Sequence, residues 1–574
     1  MTFTADIQPI PRSLVPADFS LTDWESVQPF FDTLKERDIQ SKTALEVWLK
    51  DVSELQSVIS EEACWKQIRM TCDTENKTYE EDFTHFCLHI EPHIKPYTDA
   101  FNRKLIASPW LAELTGPAYD VLIRNVKKEI ELFQEENIAL QADLNILAQK
   151  YGTLTGKMTI EHEGAEYTLQ QAARFLMQSD RNLRKTIYEK VNDRRKQDVD
   201  ALNTLFDELL EKRYQVARNA GFDNYRDYKF KELGRFDYGV SECEAFHAAI
   251  RKHITPLVEL LYEKKKQALG VDTLRPYDVD AEAEGLQPLS PFATGEELVE
   301  KSTQVFDALN PLFGECLRKM KTMHRFDVES RKGKAPGGYN CPLAETGAPF
   351  IFMNSAGTAD DVVTMMHEGG HAIHSFLSHP LELNAFKEYP MEMAELASMS
   401  MELFTMEYWN VFYASPNEWR RAQYEELERA LSIFPWIATI DAFQHWLYTH
   451  PGHTVAERHA AWVSCYTSFA PKNLNWQELE SYQQILWQKQ LHLFEVPFYY
   501  IEYGIAQLGA LAMWKQYKHN PSETIQRYME ALALGGTATL PELYATAGIE
   551  FNFSDAYVAS LADFVRSELE LLQA

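Results

Sequence analysis

A chain of 574 residues that is 45% hydrophobic can bury a large core and is long enough for two or more domains. Its formal charge of −29, from 56 Lys and Arg against 85 Asp and Glu, argues against a nucleic-acid partner, since phosphate binding needs clustered cations that no segment supplies. Seven scattered cysteines, an odd number with no C-x-x-C pair, point away from a disulfide framework and toward a reducing cytoplasm.

The N-terminal stretch "MTFTADIQPIPRSLVPADFSLTDWE" lacks a basic start followed by an apolar run, which predicts no secretory leader. The most apolar stretch, around 496–514, is interrupted by Glu502 and is too short to span a bilayer. The expectation is a cytoplasmic protein without membrane association. Residues 119–151 carry apolar side chains at three- and four-residue spacing and predict one long amphipathic helix. "GKMTIEHEGAEYTL" predicts a hairpin of two short strands around Glu163-Gly164 before helices resume. The domain boundary is placed near 195, dividing an N-terminal helical domain, 1–195, from a second domain, 196–574. Glycines and prolines in 270–298 predict a loop, and the apolar run "FIFMN", 350–354, suits a strand.

In "TMMHEGGHAI", 364–373, a helix is expected to start at Thr358, whose side chain can cap the first amides, and to run to about Ser378. On it Val362, Met366, Ile373, Phe376 and Leu377 form one stripe, while His367 and His371 share another face with Glu368 beside them. Two imidazoles one turn apart can hold one cation, and the neighbouring carboxylate can reach a water bound to it, which is the mechanical content of H-E-x-x-H. The bland alternative is a pair of core histidines bonded to backbone carbonyls. His374 lies on the same face and is read as supporting or packing against the ligands.

A catalytic zinc keeps three protein ligands and one open position. "KEYPMEMAELASMSMELFTMEYW", 387–409, predicts a helix that is apolar on nearly every side, with Pro390 in its first turn. Glu388, Glu392, Glu395, Glu402 and Glu407 interrupt it. A carboxylate buried there needs a partner or a metal, so at least one of these acids should meet the cation, and spacing alone does not choose which. Solvated acids are the plainer reading for Glu388 and Glu407.

"LHLFEVPFYYIEYGIAQLGALAMW", 491–514, clusters His492, Tyr499, Tyr500 and Tyr503 near Pro497. Phenols and an imidazole could donate to an oxyanion, and an aromatic core stripe is the competing reading.

Together "HEGGHAIH", "MEMAELASMSME" and "HLFEVPFYYIEYGIAQ", in this order, resemble the thimet oligopeptidase and oligoendopeptidase F family of zinc peptidases, in its oligoendopeptidase F branch. The resemblance spans roughly 145–515. It implies one Zn2+ per chain on His367, His371 and Glu395, with Glu402 supporting a ligand. Glu368 is then the general base, and His492, Tyr500 and Tyr503 contact substrate or transition state. It implies a mainly α, zincin-like fold: two helical lobes enclosing a deep channel, with a small β-sheet beside the zinc. Residues 196–574 become the catalytic domain, and "FIFMN" a strand whose edge pairs with an extended peptide. The implied substrates are short peptides cut at internal bonds. A dipeptidyl carboxypeptidase and an inactive peptide binder are the alternatives.

Overall fold

The computed structural model describes residues 3–283 and 285–573, of which helix makes up 68% and strand 4%. The helices used below are α1 (Pro117–Leu132), α2 (Glu135–Thr155), α3 (Val240–Ala249), α4 (Ala359–Ser378), α5 (Met391–Thr405), α6 (Pro416–Thr449), α7 (Leu491–Glu495) and α8 (Tyr500–His519). Strands β1 (Thr159–His162) and β2 (Ala165–Thr168) pair antiparallel, and β3 (Phe326–Glu329), β4 (Tyr339–Cys341) and β5 (Phe350–Ser355) form a second sheet. The mainly α fold with small sheets is the one expected. Among the described residues, no helix is long and apolar enough to cross a membrane.

The chain groups into two compact units, each assembled from three segments. The first comprises Met1–Glu135, Leu289–Gln423 and Ala506–Phe551; the second comprises Glu136–Pro288, Tyr424–Ile505 and Asn552–Ala574. The single helix expected over 119–151 is two, α1 and α2, because Phe133 leaves helical conformation at φ −68, ψ 122. No glycine or proline marks this break. The β1–β2 hairpin turns where expected, with Glu163 and Gly164 both at positive φ, the backbone that a two-residue turn between twisted strands requires. The loop expected over 270–298 ends earlier, since Thr294 caps a helix beginning at Gly295.

In the first unit the order of the second sheet is β3-β5-β4, with β3 parallel and β4 antiparallel to β5. This corrects the reading of "FIFMN" as an edge. Both sides of β5 are occupied, and its unbroken apolar run belongs to a central strand buried on both faces. The sheet's edges are β3 and β4.

The α4 helix starts as predicted. Thr358 Oγ1 accepts from the Asp361 amide at 3.3 Å, and Asp361 Oδ2 accepts from the Thr358 amide at 2.8 Å. The stripe Val362, Met366, Ile373, Phe376 and Leu377 is buried. So is nearly everything from Glu368 to Ser378, because α5 covers the second side. The two glycines of the motif make this possible. A Cβ on Gly370 would stand 2.7 Å from the Cα of Ser398 and 2.8 Å from the carbonyl oxygen of Ala397, and one on Gly369 would meet the Phe306 ring at 2.3 Å. Only residues without side chains let α4 approach α5 at Gly370, and the helix Gly295–Leu309 at Gly369, this closely.

Candidate metal centre

The close crossing of α4 on α5 sets the metal geometry. From α4 come His367 and His371, one turn apart, with ring centroids 4.8 Å apart at 84°. From α5 comes Glu395, whose Oε2 lies 3.3 Å from His367 Nε2 and 3.7 Å from His371 Nε2. One ligand atom from each of these three residues lies within 4.8 Å of the others. Of the five acids the α5 region offered, this one converges with the histidines. Glu392 is equally buried but is not part of the converging group, and Glu388 and Glu407 are exposed.

Two of the three donors are held from behind. His367 Nδ1 is 2.5 Å from Glu402 Oε1, one α5 heptad beyond Glu395, so one ring nitrogen is held by Glu402 while Nε2 faces Glu395. Burial works against charge on His367, but the hydrogen bonds to Glu395 and Glu402 outweigh it and raise the pKa well above the usual value. Ser398 donates to Glu395 Oε2 at 3.1 Å, one turn along α5. His371 lacks such bonds, and burial pushes its pKa down to about 4, which keeps the ring neutral and its lone pair available. His374 stacks on Tyr389 with centroids 3.5 Å apart, and neither of its ring nitrogens has a hydrogen-bond partner. It packs behind the ligands, and Tyr389 was not singled out from the sequence.

Glu368 is buried beside the three donors, with Oε2 lacking any hydrogen-bond partner. Burial pushes its pKa up to about 7, with His367 opposing and Glu395 and Glu402 assisting. Its backbone carbonyl accepts from Asn340 Nδ2 on β4 at 3.2 Å, tying the edge strand to the motif. Two imidazole nitrogens and a carboxylate oxygen facing one point, with an adjacent carboxyl group left unbonded, fit a zinc ion with an open coordination position.

In the second unit His492, Tyr499, Tyr500 and Tyr503 form one aromatic cluster. The His492 ring lies 4.8 Å from Tyr500, 5.8 Å from Tyr503 and 6.1 Å from Tyr499. They do not share one helix face. The helical run over 491–519 is interrupted between α7 and α8, and Phe498 takes φ +66. Gln444 Oε1 accepts from the Phe498 amide at 2.5 Å, and Arg235 donates to the Phe498 carbonyl while pairing with Glu502 at 3.0 Å. These bonds hold a backbone conformation that a phenylalanine rarely adopts. Gln490 Nε2 lies 2.7 Å from His492 Nδ1, and Trp436 donates to Gln490 Oε1 at 2.9 Å, which orients the imidazole. Burial pushes the Tyr500 phenol up to about 12. Gln444, Trp436 and Arg235 carried no sequence signal, because each acts across a separation of more than fifty residues, and Gln490, two residues from His492, carries none because no motif marks it.

A helix bearing H-E-x-x-H, with a carboxylate from a second helix, is the ligand arrangement of a metallohydrolase. Residues 174–563 match the model for peptidase family M3, and residues 16–133 match the peptidase M3 N-terminal domain; the chain belongs to peptidase family M3. It is similar to an oligoendopeptidase F homolog of Lactococcus lactis subsp. lactis (strain IL1403), 26% identical over 337 residues, covering 56% of this chain and 53% of that protein. This match spans about half the length of the relative. An oligoendopeptidase F homolog of Borreliella burgdorferi is 21% identical over 543 residues, covering 90% of this chain and 86% of that protein. Among solved structures, Pz peptidase A matches with a TM-score of 0.90 at 27% identity, over 97% of this chain and 99% of that one. The oligoendopeptidase-F of Enterococcus faecium shares the fold, with a TM-score of 0.65 at 15% identity, over 96% and 97% of the two chains.

Proposed function

We propose that this chain is a zinc-dependent oligopeptidase that hydrolyses internal bonds of short, unstructured peptides. The observation that carries the reading is the convergence of His367 Nε2, His371 Nε2 and Glu395 Oε2, with the buried Glu368 carboxyl group unbonded beside them. A zinc ion on those three residues would supply the Lewis acidity that makes water a usable nucleophile near neutral pH.

The remaining roles fall to side chains. Glu368 takes a proton from the attacking water and delivers it to the departing amine, a task suited to a carboxyl group whose pKa burial has brought to about 7. Glu402 fixes the His367 tautomer, and Ser398 fixes the Glu395 carboxylate. His492, Tyr500 and Tyr503 donate to the oxyanion, each contact worth roughly 3 to 4 kcal/mol in the transition state. The outer side of β4, rather than β5, receives the peptide backbone, with Asn340 linking that strand to Glu368.

The test is mass-spectrometric mapping of products from a ten-residue peptide blocked at both ends, incubated with the zinc-loaded protein. Cuts at internal bonds are expected. Release of dipeptides only from a peptide with a free C-terminus would make it a dipeptidyl carboxypeptidase, and no product from either peptide would make it an inactive binder.

A further inference from the structure

A second group of metal-ligand side chains lies in the second unit. Two helices each contribute a pair four residues apart, Cys243 and His247 from α3 and Asp441 and His445 from α6. In each pair the spacing places both side chains on one helix face. The faces meet at Asp441, whose Oδ2 lies 2.8 Å from His247 Nε2 and 3.2 Å from His445 Nε2. One ligand atom each of Cys243, Asp441 and His445 lies within 4.8 Å of the other two. Cys243 and Asp441 are 1% and 0% exposed.

A polar network made only of protein leaves this group poorly satisfied. Asp441 Oδ1 is fully buried without a hydrogen-bond partner, and His445 Nε2, despite its closeness to Oδ2, is outside hydrogen-bond geometry. An unbonded carboxylate oxygen in such surroundings is costly. The surroundings are apolar, with the Phe230 and Phe498 rings each 5.6 Å from His445 and Phe469 5.8 Å from His247. Arg235, whose charge bears on Cys243, is neutralised by Glu502 at 3.0 Å.

We propose that Cys243, Asp441 and His445 form a second metal site for a borderline divalent cation such as zinc, with His247 holding the Asp441 carboxylate through its Nε2 at 2.8 Å. The charges balance: the Cys243 thiol releases its proton to solvent as the sulfur coordinates, so one thiolate, one carboxylate and one neutral imidazole face a dication. The donors come from two helices and the Cys243 and Asp441 side chains are buried, so the ion would tie α3 to α6 beside Phe498 and serve a structural role. This inference is independent of the catalytic reading, whose ligand set contains no sulfur.

Chelator-stripped protein reconstituted with cobalt(II) tests it. The expected spectrum has a near-ultraviolet thiolate-to-cobalt charge-transfer band, retained in His371→Ala and lost in Cys243→Ala. Zinc analysis is expected to give about two equivalents in the wild type and about one in Cys243→Ala. Absence of the band from wild-type protein, which needs no variant to fold, would overturn the proposal. So would a band that survives Cys243→Ala, since the sulfur would then belong to another cysteine.

Discussion

His367 and Glu402 are joined at 2.5 Å through the imidazole Nδ1, while the opposite nitrogen of the same ring stands 3.3 Å from Glu395. One side chain thus carries both halves of the candidate site's organisation, a face turned to Glu395 and a supported back. Glu402→Ala is expected to weaken zinc binding about 10- to 100-fold, measured by competition with a chromogenic chelator. At saturating zinc the stoichiometry of the catalytic site should be unchanged.

The glycines of the motif serve packing. Gly370→Ala places a methyl group 2.7 Å from backbone on α5, which cannot yield as a flexible side chain would, and should cost about 1–3 kcal/mol. The contrasting substitution is Gly152→Ala, within α2, where the new Cβ meets nothing within 4 Å. It should be stabilising by up to about 1 kcal/mol, since alanine is the better helix former. Thermal midpoints of the two variants are therefore expected to move in opposite directions.

Tyr503→Phe removes a phenolic donor while keeping the ring that packs on Tyr499 and Tyr500. Steady-state kinetics should show kcat lowered by about 10²- to 10³-fold with KM little changed, and metal content unaltered. A fall in stability with kcat preserved would assign the tyrosine to the aromatic core.

Asp327 on β3 makes a pH-dependent contribution to stability. Burial opposes its charge, but hydrogen bonds from Arg331 at 2.6 Å and Lys334 at 2.8 Å prevail and hold its pKa at about 2. Because the unfolded carboxyl group titrates higher, near 3.8, the unfolded chain takes up the proton first on acidification. The contribution, on the order of 2 kcal/mol, is fully present above about pH 5 and fades as pH falls through 3.8 toward 2. Denaturant titrations of wild type and Asp327→Asn should show a stability difference that is constant at neutral pH and shrinks across that window.

The candidate metal centre is legible because its elements are local. H-E-x-x-H encodes its own geometry through helical periodicity, and Thr358 with Asp361 announces where the helix starts. Glu395 was harder, since five acids shared one stretch, and the choice among them came from resemblance rather than spacing. The position of β5 could be read only as a strand. That it is central depends on β3 and β4, and β3 is a segment no motif marked. The break at Phe133 has no composition signal, and the turn at Phe498 depends on Gln444 and Arg235, both more than fifty positions away in the chain. The Cys243 group escaped notice for the same reason: its halves are separated by nearly 200 residues, and each i, i+4 pair alone is commonplace.

The account rests on Glu368 as the proton carrier beside a zinc held by His367, His371 and Glu395. The most direct measurement is the turnover of a blocked decapeptide by Glu368→Gln, with zinc content determined on the same sample. The expected result is undiminished zinc with kcat reduced by at least about 10²-fold. Turnover at the wild-type rate, with zinc bound, would contradict the account.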